Sequence, residues 1–491
     1  MGGQITISLW VFLFIAALAL LGLLDRILIP STRWFLRRRI NRVLDEIGTR
    51  LDIEIRPFQL TKRQVLIDRL VFDPQVMKVI QEYAHTHDMP QEVVQNRVML
   101  YAKEIVPSFN AYLYFRIGYW IAKKAARMLY RVRVGLLRED RYAEVDTDST
   151  IVFVMNHRSN MDYVLVAFLA AERTTLSYAV GEWAKVWPLH MLIRAMGAFF
   201  VRRNSGDPLY RKVLERYIHM ASREGVCQAV FLEGGLSRDG RMRAPKLGLL
   251  DYMLRGFDPD ADRDIVFIPV GINYDRTLED RSLLRTLTPE AEKRSRWFSV
   301  RTTCSFIARN LAQMALQRWH RFGYACVNFG APLSARAYCR EHRVRFDRLP
   351  RPERFQHVQA LSKTLMRAVA EVVPILPLSL VATVFLNTRE ARLDIQAIDQ
   401  RCRQVLFDMR QRGAPVLEIP HSTLTRMIAE AVSHLQLRHM LTAEDGRYTA
   451  NDKEIPLLRY YANSIAHFWA DEQEPYPTEQ TGIPDRRSRL Q

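Results

Sequence analysis

The sequence predicts an α/β protein with a mainly parallel sheet, preceded by a transmembrane helix and flanked by helical N-terminal and C-terminal regions. Three observations predict it. Short apolar runs at 151–155 (IVFVM), 229–232 and 265–270 alternate with helical stretches, as in a parallel sheet buried on both faces. Before and after them, apolar positions recur at spacings of three to four residues, the period of a helix with one buried face. Finally, residues 5–24 (ITISLWVFLFIAALALLGLL) form an uncharged apolar run whose length at helical rise matches the hydrocarbon thickness of a bilayer, about 30 Å.

The apolar run has no basic residue before it, which argues for a retained anchor over a cleaved signal peptide. Arg26, Arg33, Arg37, Arg38, Arg39 and Arg42 follow it. By the positive-inside rule the body of the protein is then cytoplasmic, and the same arginines suit anionic lipid head groups. The opening MGGQIT also fits a loose myristoylation pattern, read as coincidence because an acyl chain adds little to a spanning helix.

The anchor is assigned to 1–29 and a helical N-terminal region to 30–140. Within it, residues 57–135 read as mainly helical, with clear periodicity at 75–83 and 92–105. Residues 112–130 are aromatic-rich and then basic at Lys123, Lys124, Arg127 and Arg131. That composition suits a membrane surface or a core-facing helix with a solvated basic side. The α/β segment is assigned to 141–340, with a helix at 162–171 and an acidic loop at 256–264 (GFDPDADRD). Residues 340–354 read as a charged connector. A helical region occupies 341–475, where the apolar run 376–386 is too short to span a membrane. A polar tail, 476–491, closes the chain.

Composition narrows the partners. With 71 Lys+Arg against 53 Asp+Glu the net charge is +18, so the surface must meet something anionic: nucleic acid, lipid head groups or phosphorylated substrates. No RRM, KH or zinc-finger pattern is present, which disfavours nucleic acid. Cys227, Cys304, Cys326, Cys339 and Cys402 are scattered and odd in number. They form no metal-binding spacing and read as buried thiols of a reducing compartment.

The chemistry-bearing residues cluster after the strands. Asn156-His157-Arg158-Ser159-Asn160-Met161-Asp162 follows the run 151–155, and ligands in α/β sheets bind beyond the carboxyl ends of strands. Histidine is the usual base for deprotonating a hydroxyl near neutral pH. Its second nitrogen needs an acceptor, and Asp162 can serve. Positions five apart diverge by about 140° on an ideal helix, so the pair meets only if a turn separates them and Asp162 begins the next helix. A histidine that merely caps a turn has the same spacing. Two further blocks carry candidate anion contacts: GAFFVRR, ending in Arg202 and Arg203, and FLEGGLSRDGR, with Glu233, Gly234, Ser237 and Arg238. Arginine forks bind phosphate bidentately, and glycines allow close backbone approach. A fourth block, IPVGINY at 268–274, is an apolar strand suited to lining an acyl channel, and its proline predicts an edge or a bulge. No GxSxG elbow occurs, which disfavours a serine hydrolase.

Taken in order, NHRSNMD, GAFFVRR, FLEGGLSRDGR with the following Pro245-Lys246-Leu247-Gly248, and IPVGINYD resemble the glycerolipid acyltransferases, and within them the bacterial membrane-bound glycerol-3-phosphate acyltransferases. Weaker similarity extends to 457–468 (LLRYYANSIAHF). The resemblance implies an α/β acyltransferase core with membrane-associated helical additions. It implies His157 as the base on a glycerol hydroxyl and Asp162 as its orienting partner, with acyl-CoA or acyl-acyl carrier protein as donor. It places Arg202, Arg203, Glu233, Gly234, Ser237, Arg238 and Lys246 around the phosphorylated acceptor, and it implies no metal or redox cofactor. The third block of that family commonly reads EGxRSR, whereas Leu236 stands here in place of the first arginine. Arg238, Arg241 or Lys246 can supply the cation instead. The chain is also short beside the best-known bacterial member, so some family extensions are expected to be missing. Glycerol-3-phosphate is the leading acceptor; lysophosphatidate and dihydroxyacetone phosphate are the alternatives. A basic membrane-tethered binding protein without catalysis is the reading from another class.

Overall fold

The computed structural model describes residues 57–111, 113–136, 139–170, 176–180, 193–202, 205–287, 322–388, 392–414 and 421–469. The expected anchor at 5–24, its flanking arginines, Arg203, Cys304 and the tail lie outside them. Among the described residues no helix is long and apolar enough to cross a membrane.

One mixed sheet of eight strands organises the core. Its members are β1 (Arg131–Leu136), β2 (Thr150–Met155), β3 (Ser177–Val180), β4 (Phe199–Phe200), β5 (Gln228–Phe231), β6 (Ile265–Tyr274), β7 (Tyr324–Phe329) and β8 (Leu333–Ser334). The order is β1-β7-β6-β2-β5-β3-β4, with β8 also on β6. From β6 through β4 every pairing is parallel, while β6 meets β7 and β8 antiparallel. The apolar runs read from sequence are therefore its inner strands. Val152 and Val154 of β2 face one side, and Met155 with Phe153 the other. Both faces are covered, which is why these strands carry continuous apolar runs.

One face packs against α1 (Arg63–Val71), α2 (Pro74–Thr86), α3 (Gln91–Ile105), and others further on. The opposite face packs against α4 (Tyr119–Leu129) and α5 (Met161–Ala170). The first face is completed by α6 (Pro208–Arg223), α7 (Gly248–Leu254), α8 (Ala335–His342) and α9 (Arg351–Glu371). In α6 the stripe Leu209, Val213, Tyr217 and Ala221 is buried. Its start is set by Asp207, whose side chain accepts from the Leu209 and Tyr210 N–H groups ahead of Pro208, an N-cap followed by proline at the first helical position.

The C-terminal region has its own apolar core, built from α10 (Pro377–Asn387), α11 (Ile395–Gln411), α12 (His421–Leu437) and α13 (Ile455–Ala462). The run read as too short to span a membrane is α10, buried there through Leu378, Val381 and Phe385.

Four sequence expectations are corrected. Residues 131–135 are not helical but form β1, whose alternating RVRV pattern has basic residues on an outer strand, a common protection of sheet edges. The sheet thus begins at Arg131, ahead of 141. Within the helical 356–475 region lies a hairpin, β9 (Leu441–Glu444) with β10 (Arg447–Ala450). Its Asp445-Gly446 turn has positive φ at both residues, the two-residue geometry that Asp-Gly favours. The connector 340–354 is largely helical at its ends, and Arg345 in it pairs with Asp258 and Asp260 of the acidic loop. Lastly, Pro269 lies in an inner strand. The β6 positions bonded to β8 are Val266 and Phe267, and those bonded to β7 begin at Val270. Proline, lacking an N–H, falls at the seam between the two partners, while its carbonyl accepts from Gly330 N at 2.8 Å.

Candidate active site

The four sequence blocks converge at the carboxyl end of β2. Where that strand stops, Asn156 extends its pairing: the side-chain amide donates to the Ile272 carbonyl at 2.9 Å and accepts from Ile272 N at 2.7 Å. This fixes the exit of the chain from the sheet. The next residue, His157, is buried, and its ring stacks on Phe231 at 4.0 Å between centroids. Its Nδ1 lies 2.9 Å from Asp162 Oδ2. Asp162 is the second residue of α5, as the five-residue spacing requires.

Asp162 is wholly buried, yet amply bonded. Oδ2 also accepts from Arg158 N at 2.7 Å and Ser159 N at 3.0 Å, and Oδ1 accepts from the Tyr274 hydroxyl at 2.6 Å. Such bonds offset the cost of burying a carboxylate. A carboxylate surrounded by donors can only accept, so the proton of the His157 contact sits on Nδ1 and Nε2 carries the lone pair. Tyr274 remains a donor because burial, and then the charge of Asp162, push its hydroxyl well above the ordinary tyrosine value. The turn between the pair is clamped by Glu279, which accepts from the Ser159 hydroxyl at 2.7 Å and Asn160 N at 3.2 Å.

The loop after β5 braces His157 from the other side. Ser237 N donates to the His157 carbonyl at 2.9 Å, and the Ser237 hydroxyl donates to the Arg241 carbonyl while accepting from Gly240 N. Glu233 accepts from His157 N and Arg243 N, both at 3.1 Å. Gly234, with φ of +67°, turns the chain there. Glu233, Gly234 and Ser237 therefore shape the loop, while Arg238 and Lys246 stand exposed on it. Leu236 packs against the C-terminal core.

Arg202 is placed elsewhere. Its guanidinium is bonded to both carboxylate oxygens of Glu104, with Nε 2.9 Å from Oε1, and lies over the Tyr101 and Tyr210 rings. It ties α3 to the end of β4 and is not gathered around His157. A cavity of about 240 Å³ lined by Phe58, Phe109, Ser177 and Tyr217 likewise contains none of the predicted site residues. Sequence reasoning missed Asn156, Tyr274 and Glu279. Asn156 and Tyr274 stood inside the blocks already quoted; Glu279 carried no local pattern.

Burial pushes the Glu233 carboxyl up to about 8. A raised acid keeps its proton in the fold after the unfolded chain has lost it, so this group's stabilisation is full below about 4.5 and fades as pH rises through about 8. Glu233→Gln is expected to flatten that slope. The melting temperature of the wild type minus that of the variant should shrink between about pH 5 and pH 8; a difference constant across that range would contradict a raised value.

A histidine–carboxylate pair at the end of a buried parallel strand has the geometry that can activate a hydroxyl. Residues 137–273 match the acyltransferase family model. Residues 309–472 match the family model described as the glycerol-3-phosphate acyltransferase C-terminal region. Similar curated proteins are named glycerol-3-phosphate acyltransferase. The one from Pseudomonas paraeruginosa is 30% identical over 453 residues, covering 88% of this chain and 52% of the relative. The one from Pseudomonas syringae is 29% identical over 428 residues, covering 84% and 49%. The chain thus spans about half the length of the curated relatives it matches. A solved 1-acyl-sn-glycerophosphate acyltransferase from Thermotoga maritima shares 15% identity over 62% of this chain and 97% of its own, with a TM-score of 0.28, a likeness too loose to bear on the acceptor.

Proposed function

We propose that this chain is an O-acyltransferase that moves a fatty acyl group from acyl-CoA or acyl-acyl carrier protein to the sn-1 hydroxyl of glycerol-3-phosphate, giving lysophosphatidate for phospholipid synthesis. The observation that carries the chemistry is the 2.9 Å contact between His157 Nδ1 and Asp162. The acceptor rests on the C-terminal match and on the names of the relatives.

In this reading His157 Nε2 takes the hydroxyl proton as the oxygen attacks the thioester carbonyl. The C–O bond forms, the tetrahedral intermediate collapses, the C–S bond breaks, and the imidazolium returns the proton to the leaving thiolate. Asp162 holds the tautomer and balances the imidazolium charge. Arg238 and Lys246, exposed on the loop that braces His157, and Arg203, which the resemblance also assigns to the acceptor, draw the phosphorylated acceptor toward the protein by charge. Glu233, Gly234 and Ser237 hold that loop in shape. Arg202, engaged with Glu104, is assigned a structural part. No metal or redox group enters this scheme.

Tyr274 acts as a positioning residue through Asp162. Hydrogen bonds to charged groups contribute about 1.5–3 kcal/mol, so Tyr274→Phe is expected to lower kcat about tenfold to a hundredfold with both KM values little changed. An unchanged kcat would contradict that part.

The apolar run 5–24 and the arginines after it support attachment to the cytoplasmic membrane with the catalytic part on the cytoplasmic side. On α4, Trp120 and Ile121 are exposed beside Lys123 and Lys124, a composition suited to lipid contact. Leu236 leaves lysophosphatidate and dihydroxyacetone phosphate as rival acceptors. Incubating purified protein with labelled palmitoyl-CoA and each of the three separates them. Glycerol-3-phosphate should be acylated fastest; preference for either rival would replace it.

A further inference from the structure

Arg158, next to His157, is a buried cation with unmet donors. Only 4% of it is exposed. One guanidinium nitrogen donates to the Gly240 carbonyl, and the group lies 5.0 Å from the centre of the Tyr460 ring. Its Nε and Nη2 have no hydrogen-bond partner. Two more buried groups nearby share that condition: the Thr277 and Tyr460 hydroxyls. These two lie beside each other without a hydrogen bond of normal geometry. Three separate pieces of chain meet here: the turn after β2, the turn after β6, and α13 of the C-terminal region.

Buried polar groups are nearly always bonded, and a buried charge without a partner is strongly destabilising. Glu233 is the carboxylate whose field Arg158 shares, but it accepts from the backbone of His157 and Arg243, and burial raises it to about 8. It therefore gives Arg158 little counter-charge at neutral pH. A bridging water would satisfy the hydroxyls but not the charge. What fits is an anion with several acceptor oxygens.

We propose that Arg158, Thr277 and Tyr460 form the site that takes the phosphate of the acceptor, so that the C-terminal region supplies part of the acceptor pocket. The acceptor's identity rests on the function proposed above; the anion site does not. Its place decides between the anions of the two substrates. A glycerol backbone puts phosphate a few bonds from the reacting hydroxyl, whereas the phosphates of coenzyme A lie far from the thioester. A site one residue from the base suits the first.

The test uses the full chain in detergent. Thr277→Val and Tyr460→Phe each remove one hydroxyl and little else, and Arg158→Gln removes the charge. Each hydroxyl variant is expected to raise the KM for glycerol-3-phosphate about tenfold, and Arg158→Gln about a hundredfold, with the KM for palmitoyl-CoA unchanged. If the wild type prefers lysophosphatidate, the same comparison is made with that acceptor; a rise in its KM keeps the site and discards only the glycerol-3-phosphate reading. A second arm needs no turnover. Inorganic phosphate should raise the melting temperature of the wild type, and the Thr277→Val/Tyr460→Phe double variant should lose that response. A KM change for the donor alone, unchanged KM values, or equal phosphate stabilisation of both proteins would overturn the proposal.

Discussion

Replacing Asp162 with Asn is expected to leave the protein folded and to lower kcat by about 10²–10⁴, the usual contribution of a positioned base. The hydrogen bonds give the reason. Three N–H donors, from His157, Arg158 and Ser159, point at Oδ2, and one hydroxyl points at Oδ1. An asparagine therefore keeps its oxygen at the Oδ2 position and turns its NH₂ toward Tyr274, whose hydroxyl can rotate to accept. The tautomer survives, but the charge that balances the imidazolium is gone. His157→Ala removes the base itself and should fall at least as far, with KM for the acceptor little changed. Retained near-wild-type rates in His157→Ala would mean that another group takes the proton, and in Asp162→Asn that its charge is not needed to balance the imidazolium; no transfer by the wild type would favour a basic binding protein.

The second large effect is structural. Gly240 has φ of +92°, and a Cβ built there would lie 1.9 Å from the Tyr460 carbonyl oxygen and 2.8 Å from its carbon. Close by, Asn463 donates to the Asp239 carbonyl at 2.9 Å. The loop that braces His157 is thus pressed against the end of α13 with no room for a methyl group. Gly240→Ala must move backbone against backbone and also strain φ, and is expected to destabilise the protein by roughly 2–4 kcal/mol. It should cost activity as well, because that loop carries Ser237 and Glu233. Gly206 is the matched control: a Cβ there would meet no atom within 4 Å, and its φ is not positive. Gly206→Ala should leave the melting temperature within about a degree or two of the wild type. Equal behaviour of the two variants would show that the C-terminal region is not seated on this loop.

Much of the sheet was legible in the sequence because its inner strands are buried on both faces and read as unbroken apolar runs. The contact between His157 and Asp162 was legible because five residues of local chain bring them together. What sequence could not supply were contacts between distant segments. Arg202 reads as a surface phosphate fork until Glu104, 98 residues earlier, is placed beside it. Arg158 reads as an ordinary arginine until α13 closes over it. β1 was hidden because its side chains are basic and continue the polarity of the preceding helix, and the β9–β10 hairpin because two strands of four residues each sit inside a long stretch of helical periodicity. Leu236 breaks the family pattern in sequence, and its packing against the C-terminal core gives that substitution a structural meaning: an apolar contact stands where an arginine would.

If His157 drives acyl transfer to glycerol-3-phosphate, thiol release and product formation must be coupled through it. The most direct measurement follows free thiol from palmitoyl-CoA and labelled lysophosphatidate together, with and without glycerol-3-phosphate, for the wild type and His157→Ala purified in parallel. Thiol and lysophosphatidate should appear in equal amounts, both dependent on the acceptor and both lost in the variant. Thiol release without the acceptor, or lysophosphatidate formed equally well by His157→Ala, would contradict that role.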